Sequence, residues 1–174
     1  MYICGGYKSM GHKSKMVEKK ISTFLGLIFA LSLLSSCQTI ELYEQSTIYP
    51  NHQWDAKQVN EYQFSIDDTT SSYNVYFVIR HHNAYSYKNI WIQLNTTAPD
   101  RKISKESFDL NLADDVKGWL GTGMDDIYDQ RIPIYPAPVH FKKGVYKFAI
   151  THTMRADPLP NILSTGIRVE KAKQ

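Results

Sequence analysis

The residue with the clearest chemistry is Cys37, one of two cysteines in the chain of 174 residues. It closes the tetrapeptide Leu34-Ser35-Ser36-Cys37, in which two small residues would let an extended backbone enter a peptidase cleft. The cysteine thiolate is a nucleophile and can form a thioether to diacylglycerol. Cleavage before Cys37 would free its amine for a further acyl chain such as palmitate. We therefore predict that Cys37 is a lipidation site.

The segment before Cys37 has the layout of an export signal. Met16-Val-Glu-Lys-Lys20 is a short positive region, and residues 21–34 form an apolar run. That run of 14 residues is shorter than the roughly 20 that a membrane-spanning helix needs, which favours a cleaved signal peptide. With the tetrapeptide, the segment resembles the lipobox region of bacterial lipoproteins. We expect residues 1–36 to be the signal peptide, with Met16 the more natural start.

Removal of the signal peptide determines which cysteine the mature chain keeps and how the chain is anchored. Cys4 leaves with it, so the mature chain has a single cysteine and no internal disulfide. Stable anchoring needs more than one acyl chain, which lipidation at Cys37 would supply. Gln38, rather than Asp, follows the cysteine, which favours the outer membrane. We expect a cell-envelope protein on the outer membrane that faces the periplasm.

The charge balance excludes nucleic acid as a partner. Five of the 20 Lys and Arg residues and one of the 17 Asp and Glu residues precede Cys37. The mature chain therefore carries 15 basic and 16 acidic residues, a net charge of −1. Nucleic-acid binding requires a basic patch or stripe.

The histidines and carboxylates do not form a recognisable metal or catalytic motif. His81-His82 follows a predicted strand, where adjacent side chains point to opposite faces and cannot share one ion. His140 and His152 lie far along the chain, so we expect solvated loop histidines and no zinc site.

Carboxylates offer two weaker alternatives. Asp125, Asp126 and Asp129 follow a glycine-containing segment and could hold calcium, but not with the spacing of an EF-hand. A glycosidase needs two carboxylates roughly 5–10 Å apart, which any chain with this many acids can offer. The acids considered for that role are Asp67, Asp114, Asp157 and Glu170. Since no Gly-x-Ser-x-Gly elbow occurs either, we expect no enzyme and no cofactor; a metal-dependent hydrolase is the remaining catalytic alternative.

Aromatic residues in predicted loops are the better binding candidates, because their faces can stack on sugar rings or on a partner protein. Asn89 and Arg80 would supply hydrogen bonds nearby, whereas Trp91 lies in an apolar strand and is expected in the core. The predicted partner or ligand surface consists of Tyr85, Tyr87, Trp119 and Arg155.

These residues must be positioned by strands, because the chain is dominated by apolar–polar alternation with a period of two. The predicted strands are 62–66, 73–80, 89–95, 107–112, 127–134, 144–151 and 166–170. Strand 73–80 is expected to be central, and 127–134 a short edge strand that Pro133 stops. About seven short strands with polar turns predict an all-β protein, an antiparallel β-sandwich of either jelly-roll or immunoglobulin-like topology.

The predicted domain organisation has three parts. After the signal peptide, residues 37–53 form the lipidated N-terminus and a polar spacer, and residues 54–174 form the β-sandwich. The one candidate for a helix is a brief stretch at 159–163, after Pro158.

Short clusters along the chain, in order and spacing, are similar to those of the GldH family of gliding-motility lipoproteins of the Bacteroidetes. They run from the lipobox cysteine almost to the C-terminus. The clusters are Trp54, Tyr73-Asn74, Ile79-Arg80, Asn83, Tyr85, Tyr87, Asn89-Ile90-Trp91, Leu112-Ala113-Asp114, residues 118–123, Met154-Arg155, Asp157, Leu159 and residues 166–170.

This resemblance implies a lipoprotein needed for gliding over surfaces, a movement tied to the type IX secretion apparatus. It implies envelope proteins of that machinery as partners and brings no catalytic residues. The alternative is a carbohydrate-binding module on a lipoprotein.

Overall fold

The computed structural model of the chain describes residues 41–173, so the predicted signal peptide and Cys37 lie outside the described residues. All regular structure in the described part is β. The strands are β1 (Glu41–Ile48), β2 (Gln53–Trp54), β3 (Asn60–Ile66), β4 (Tyr73–His82), β5 (Asn89–Thr97), β6 (Ile103–Asn111), β7 (Ala113–Asp114), β8 (Gly118–Trp119), β9 (Thr122–Met124), β10 (Ile127–Pro133), β11 (Gly144–His152), β12 (Leu159–Pro160) and β13 (Ile162–Lys171).

Two antiparallel sheets make up the sandwich, which confirms the predicted fold class. The larger sheet has the order β1-β13-β4-β10-β9, and the smaller one β3-β11-β5-β6. Two-residue ladders, β2 with β12 and β7 with β8, extend from them. As predicted, β4 is central. β10 lies between β4 and β9, so the predicted edge position holds only for residues 130–133, which do not pair with β9.

The core lies between the sheets and follows from the alternation in the sequence. In β3, Tyr62, Phe64 and Ile66 are buried while the residues between them are exposed. In the neighbouring strand β11, Tyr146, Phe148 and Ile150 are buried and alternate with half-buried residues. Phe64 contacts Phe148 edge-on with ring centroids 5.0 Å apart. Side chains of this size dominate core energetics because each buries a large apolar area.

The predicted spacer 37–53 is wrong over its described part. Residues 41–48 form β1, which pairs with β13 from Glu41 opposite Glu170 to Ile48 opposite Ser164. Among residues 43–48 of this edge strand, Tyr43 packs against Phe64 with ring centroids 5.5 Å apart, while Ile48 is exposed. The folded domain therefore includes residues before the predicted boundary at 54.

The predicted helix at 159–163 is also wrong. Leu159 pairs with Trp54, and Ile162 begins β13 opposite His81. Asn161 between them has φ 65°, a left-handed conformation that no right-handed helix contains. No helix that could cross a membrane occurs within residues 41–173.

The strands run between two ends of the sandwich, which we name by a residue at each. The Glu41 end consists of segments 67–72, 98–102, 134–143 and 171–173, which connect or end strands next to the start of β1. The Trp54 end consists of segments 49–59, 83–88, 112–126 and 153–161. The four predicted surface residues, Tyr85, Tyr87, Trp119 and Arg155, all fall at the Trp54 end.

Candidate functional site

Trp91 is exposed, contrary to the expectation that it lies in the core. It keeps 43% of its surface in contact with solvent, while Ile90 and Ile92 on either side are fully buried. Successive side chains of a strand point to opposite faces, so Trp91 lies on the outer face of the smaller sheet. No further layer of described residues covers that face.

A cavity of about 430 Å³ opens beside Trp91, and we call it the Trp91 cavity. It forms where the start of β5 meets the segment after β11, because the Thr153 N–H donates to the Trp91 carbonyl at 2.9 Å. The Trp91 N–H in turn contacts the Met154 sulfur at 3.2 Å. The lining residues are Tyr87, Asn89, Trp91, Thr153, Met154 and Arg155. This volume suits a small ligand or a side chain of a partner protein.

The Trp91 cavity contains two of the four predicted surface residues, Tyr87 and Arg155. Tyr87 is half-buried and Arg155 is exposed. Arg155 has no hydrogen bond or ion pair to another described residue, so its guanidinium is available for an acceptor outside the domain. Asn89 is oriented by donating to the Asp109 carboxylate at 2.5 Å.

Tyr85 is buried and so is not a surface residue as predicted. Only 3% of it is exposed, its hydroxyl donates to the Asn89 carbonyl at 3.1 Å, and burial raises its pKa. Its ring meets Tyr87 edge-on, with centroids 5.6 Å apart. Tyr85 therefore supports the wall of the Trp91 cavity from behind.

Trp119 packs beside Tyr85 and is half-buried. It meets the ring of His81 edge-on at 4.6 Å between centroids, and it also contacts Tyr85 and Tyr128. The structure thus divides the predicted surface residues into a pair that lines the cavity and a pair that packs on His81.

His81 is fully buried, whereas a solvated loop histidine was expected. Its Nδ1–H donates to the His82 carbonyl at 2.9 Å, and Nε2 accepts from the Gln130 amide at 3.2 Å. This pattern holds the imidazole neutral, and burial lowers the pKa of His81. Gln130 also donates to the Leu112 carbonyl at 2.9 Å, which fixes its amide.

His152 is the second buried histidine, 2% exposed. Its Nε2–H donates to the Trp54 carbonyl at 3.0 Å, and its ring meets Trp54 edge-on at 5.1 Å between centroids. Burial lowers the pKa of His152 as well. These two histidines are structural parts of the Trp54 end, while His140 is exposed as expected.

The candidate metal ligands do not converge. His81 points inward and His82 outward, as predicted for neighbours on a strand. Asp129 binds Arg80 through two bonds of 2.6 and 2.8 Å, while Asp126 lies 3.4 Å from His82. Among residues 41–173, no group of three or more histidine, cysteine or acidic side chains is placed to hold an ion.

Each acid considered for a glycosidase pair already has a partner: Lys143 for Asp67, Arg168 for Glu170, and backbone N–H groups for Asp114 and Asp157. Asp67 belongs to the Glu41 end, whereas Asp114 and Asp157 belong to the Trp54 end. Asp157 accepts from the Ala56 N–H at 2.9 Å, and Asp114 accepts from the Val116 N–H at 2.9 Å. Asp114 therefore closes its own turn, whereas Asp157 ties its segment to the residues after Trp54.

A second concave surface lies on the outer face of the larger sheet and has a volume of about 600 Å³. Its charged groups already pair with one another. Arg80 binds Asp129, while Glu44 accepts from Arg168 at 2.5 Å and from Arg131 at 3.4 Å. Arg80, expected beside the aromatic residues, lies here instead. The Trp91 cavity, with its exposed indole and unpaired guanidinium, is therefore the stronger candidate site.

Sequence reasoning missed Trp91, although the sequence contained the signal. Ile90, Ile92 and Leu94 alternate with Trp91, Gln93 and Asn95, and two amides on one face indicate that this face meets water. The contact of Met154 with Trp91 joins residues 63 positions apart, and no local pattern could have indicated it.

Comparison with known proteins identifies the family of the chain. The GldH lipoprotein family model matches residues 41–169, from β1 almost to the end of β13. A gliding motility lipoprotein GldH homolog of Christiangramia forsetii is 26% identical over 164 residues, 90% of this chain and 99% of the relative. The gliding motility lipoprotein GldH of Flavobacterium johnsoniae is 24% identical over 152 residues, 83% of this chain and 94% of the relative. Since the family model covers well over half of the sequence, the chain belongs to the GldH lipoprotein family.

Proposed function

We propose that the protein is a lipid-anchored, non-catalytic component of the envelope machinery for gliding motility and the associated type IX secretion. The observation that carries this proposal is the family match over residues 41–169, together with two relatives named for gliding motility. The protein would be an outer-membrane lipoprotein facing the periplasm, with envelope proteins as partners.

Lipidation at Cys37 is the first part of the proposal. It is supported by the tetrapeptide Leu34-Ser35-Ser36-Cys37, the apolar run before it and the family's description as lipoproteins. Accurate mass measurement of the mature protein tests it, since the diacylglyceryl and acyl groups add mass at residue 37. A Cys37→Ala variant should remain unprocessed, and an unmodified mature Cys37 would contradict this part.

Docking through the Trp91 cavity is the second part. Exposed Trp and Arg side chains are the types most often found at the centre of protein interfaces. Here Trp91 and Arg155 line one cavity, Tyr87 flanks them and Arg155 has no internal partner. In the larger sheet's concave surface, by comparison, binding would have to compete with the largely buried ion pair of Glu44 and Arg168.

A pull-down from solubilised membranes tests the docking. The tagged lipoprotein should recover envelope partners that mass spectrometry identifies, and Trp91→Ala with Arg155→Ala should lose them. The matched control is Met124→Ala with Val116→Ala, which removes exposed side chains elsewhere. Equal recovery of partners by both double variants would contradict docking at this cavity.

Carbohydrate binding is the second candidate, and the exposed Trp91 is the observation that favours it. Gln93 and Asn95 continue from Trp91 along the outer face of the smaller sheet, and Thr151 lies opposite Gln93. Neutral amides and hydroxyls beside an indole face provide the hydrogen bonds and stacking that a sugar requires.

Tryptophan fluorescence distinguishes the two candidates. An oligosaccharide that binds at the cavity should change the emission of Trp91 but leave the buried Trp54 unchanged, and Trp91→Phe should abolish the change. If no glycan in a broad panel changes the emission while partners are recovered in the pull-down, the docking proposal stands alone.

A further inference from the structure

The two ends of the sandwich carry opposite charge. The segments that make up the Glu41 end, counted without Glu41, Glu170 and the rest of the strands, have twice as many basic side chains as acidic ones, whereas acids outnumber bases in the segments of the Trp54 end. At the Glu41 end the basic residues are Arg101, Lys102, Lys142, Lys143, Lys171 and Lys173, and the acids are Asp67, Asp68 and Asp100. At the Trp54 end the acids are Asp55, Asp114, Asp115, Asp125, Asp126 and Asp157, and the bases are Lys57, Lys88, Lys117 and Arg155.

Each acid in the segments of the Glu41 end already forms an ion pair. Lys142 pairs with Asp100 at 3.1 Å, Lys143 lies 3.5 Å from Asp67, and Lys171 pairs with Asp68 at 2.7 Å. Three basic side chains form no direct ion pair with a described acid, although Lys142 and, more weakly, Lys102 lie close enough to Asp100 to lower the pKa of that carboxyl. They are Arg101, Lys102 and Lys173, all exposed.

The length of chain before β1 brings this end close to the lipid anchor. Three residues, Gln38 to Ile40, separate Cys37 from Glu41, the first residue of β1. A fully extended chain advances at most about 3.6 Å per residue, so Cys37 can lie no more than roughly 14 Å from Glu41. This limit follows from covalent geometry alone.

The opposite end is much farther along the domain. β4 runs from Tyr73 at the Glu41 end to His82 at the Trp54 end, and at 3.3 Å per residue its ten residues span about 33 Å. That distance is several times the Debye length of about 8 Å at physiological ionic strength. Charges at the Trp54 end therefore contribute little to attraction at the anchor.

We propose that the Glu41 end is a docking surface for anionic phospholipid headgroups, which holds the sandwich upright on the membrane. The inference rests on lipidation of Cys37 in the proposed function. Lys102, Lys173 and Arg101 would contact headgroup phosphates, and basic side chains near an anionic leaflet are attracted to it. The acidic Trp54 end, with the Trp91 cavity, would then project away from the bilayer toward a partner.

Site-specific fluorescence quenching tests this orientation in the mature lipidated protein. Thr69→Cys and Val116→Cys place a label at the Glu41 end and at the Trp54 end, both at exposed positions. The thiol of Cys37 is consumed by its thioether, so each introduced cysteine is labelled alone. In phosphatidylcholine vesicles that contain phosphatidylglycerol and a headgroup spin label, quenching should be several-fold stronger at position 69.

Charge reversal tests the headgroup contact separately from the tether. Lys102→Glu with Lys173→Glu should reduce quenching at position 69 on phosphatidylglycerol vesicles and leave it unchanged on pure phosphatidylcholine. Lys57→Glu with Lys117→Glu, the same charge change at the Trp54 end, should have no effect on either.

Equal quenching at positions 69 and 116, or equal effects of the two charge reversals, would overturn the proposed surface. Failure of the proposed function looks different. Protein that lacks the lipid would not float with the vesicles and would show a second reactive thiol, at Cys37.

Discussion

The Glu41 end and the Trp54 end of the sandwich both contain packed rings, at the Glu41 end Phe141 against Tyr73 and Tyr146, but they differ in the polar groups around those rings. At the Glu41 end, short turns are closed by polar bonds: the Asp68 carboxylate accepts from the Thr70 N–H at 2.9 Å and from Lys171 at 2.7 Å. At the Trp54 end, rings pack on one another around two neutral histidines, His81 and His152.

The ends therefore differ in polar chemistry: exposed ion pairs surround the rings at the Glu41 end, and buried neutral histidines contact the rings at the Trp54 end. Exposed ion pairs contribute little to stability because water competes for both partners, whereas buried rings contribute several kcal/mol each. The Trp54 end is thus rigid enough to hold a cavity in shape. The Glu41 end can exchange its salt bridges for other charged groups at little cost.

The largest effect should come from Trp54→Ala. Trp54 is fully buried, stacks on Tyr49 with centroids 5.8 Å apart and donates to the Gln58 carbonyl at 3.2 Å. Its removal should lower the free energy of unfolding by about 3–5 kcal/mol, measured by urea denaturation. Trp91→Ala is the control and should change that free energy by no more than about 1 kcal/mol. A Trp54→Ala cost as small as that of Trp91→Ala would show that the packing at this end is loose.

Two glycines at the Trp54 end give the next largest difference. Both have positive φ, 74° at Gly118 and 87° at Gly121. A Cβ at Gly121 would lie 2.3 Å from the Asp129 carbonyl oxygen, whereas nothing lies within 4 Å of one at Gly118.

Gly118→Ala should therefore cost only the backbone strain, about 1–2 kcal/mol. Gly121→Ala adds overpacking and should cost about 1–3 kcal/mol more in the same denaturation experiment. Equal costs would mean that the β9–β10 hairpin moves away from Gly121 without resistance.

The fold was largely predictable because its strands obey a strict alternation. β3 and β11 each bury every second residue, and the predicted strands 62–66 and 144–151 lie within or close to their observed bounds. β1 escaped prediction because its partner β13 is more than a hundred residues away and its own residues are mostly polar. Pairing with a distant strand can stabilise a segment whose own preference for β-structure is weak. No local sequence pattern reveals such pairing.

The candidate site was predicted only in part, for the same physical reason. Loop aromatics indicated the Trp54 end, and Tyr87 with Arg155 lines the cavity there. Which rings face inward depended on contacts across the sheets, such as Tyr85 against His81 at 5.6 Å. The predicted exposure of Tyr85 and the predicted burial of Trp91 were therefore both wrong.

Acid should weaken the Trp54 end specifically. Burial lowers the pKa of His152 in the folded protein, with Asp157 and Asp55 partly opposing it, so below the ordinary pKa of 6.5 the unfolded chain binds a proton that the folded one does not. Stability contributed by neutral His152 is complete above pH 6.5 and is lost as the pH falls toward the folded pKa. The free energy of unfolding should drop by up to about 1.4 kcal/mol per pH unit for each such histidine.

His152→Gln keeps a donor for the Trp54 carbonyl and cannot titrate, so the slope below pH 6.5 should become shallower. His140→Gln, at an exposed position, should leave the slope unchanged. The same slope in all three proteins would indicate that carboxylates alone account for the acid sensitivity.

The smallest effect should come from Lys143→Ala at the Glu41 end. Lys143 lies 3.5 Å from Asp67, and both side chains are more than two-thirds exposed, so the pair should contribute less than about 0.5 kcal/mol to unfolding. Added salt should change the free energy of unfolding of wild type and variant equally, because the attraction between Lys143 and Asp67 is too weak for its screening to be measurable. A larger loss would mean that the Glu41 end depends on its ion pairs for folding. The paired lysines could then not join Arg101, Lys102 and Lys173 in contacting phosphate headgroups at low cost.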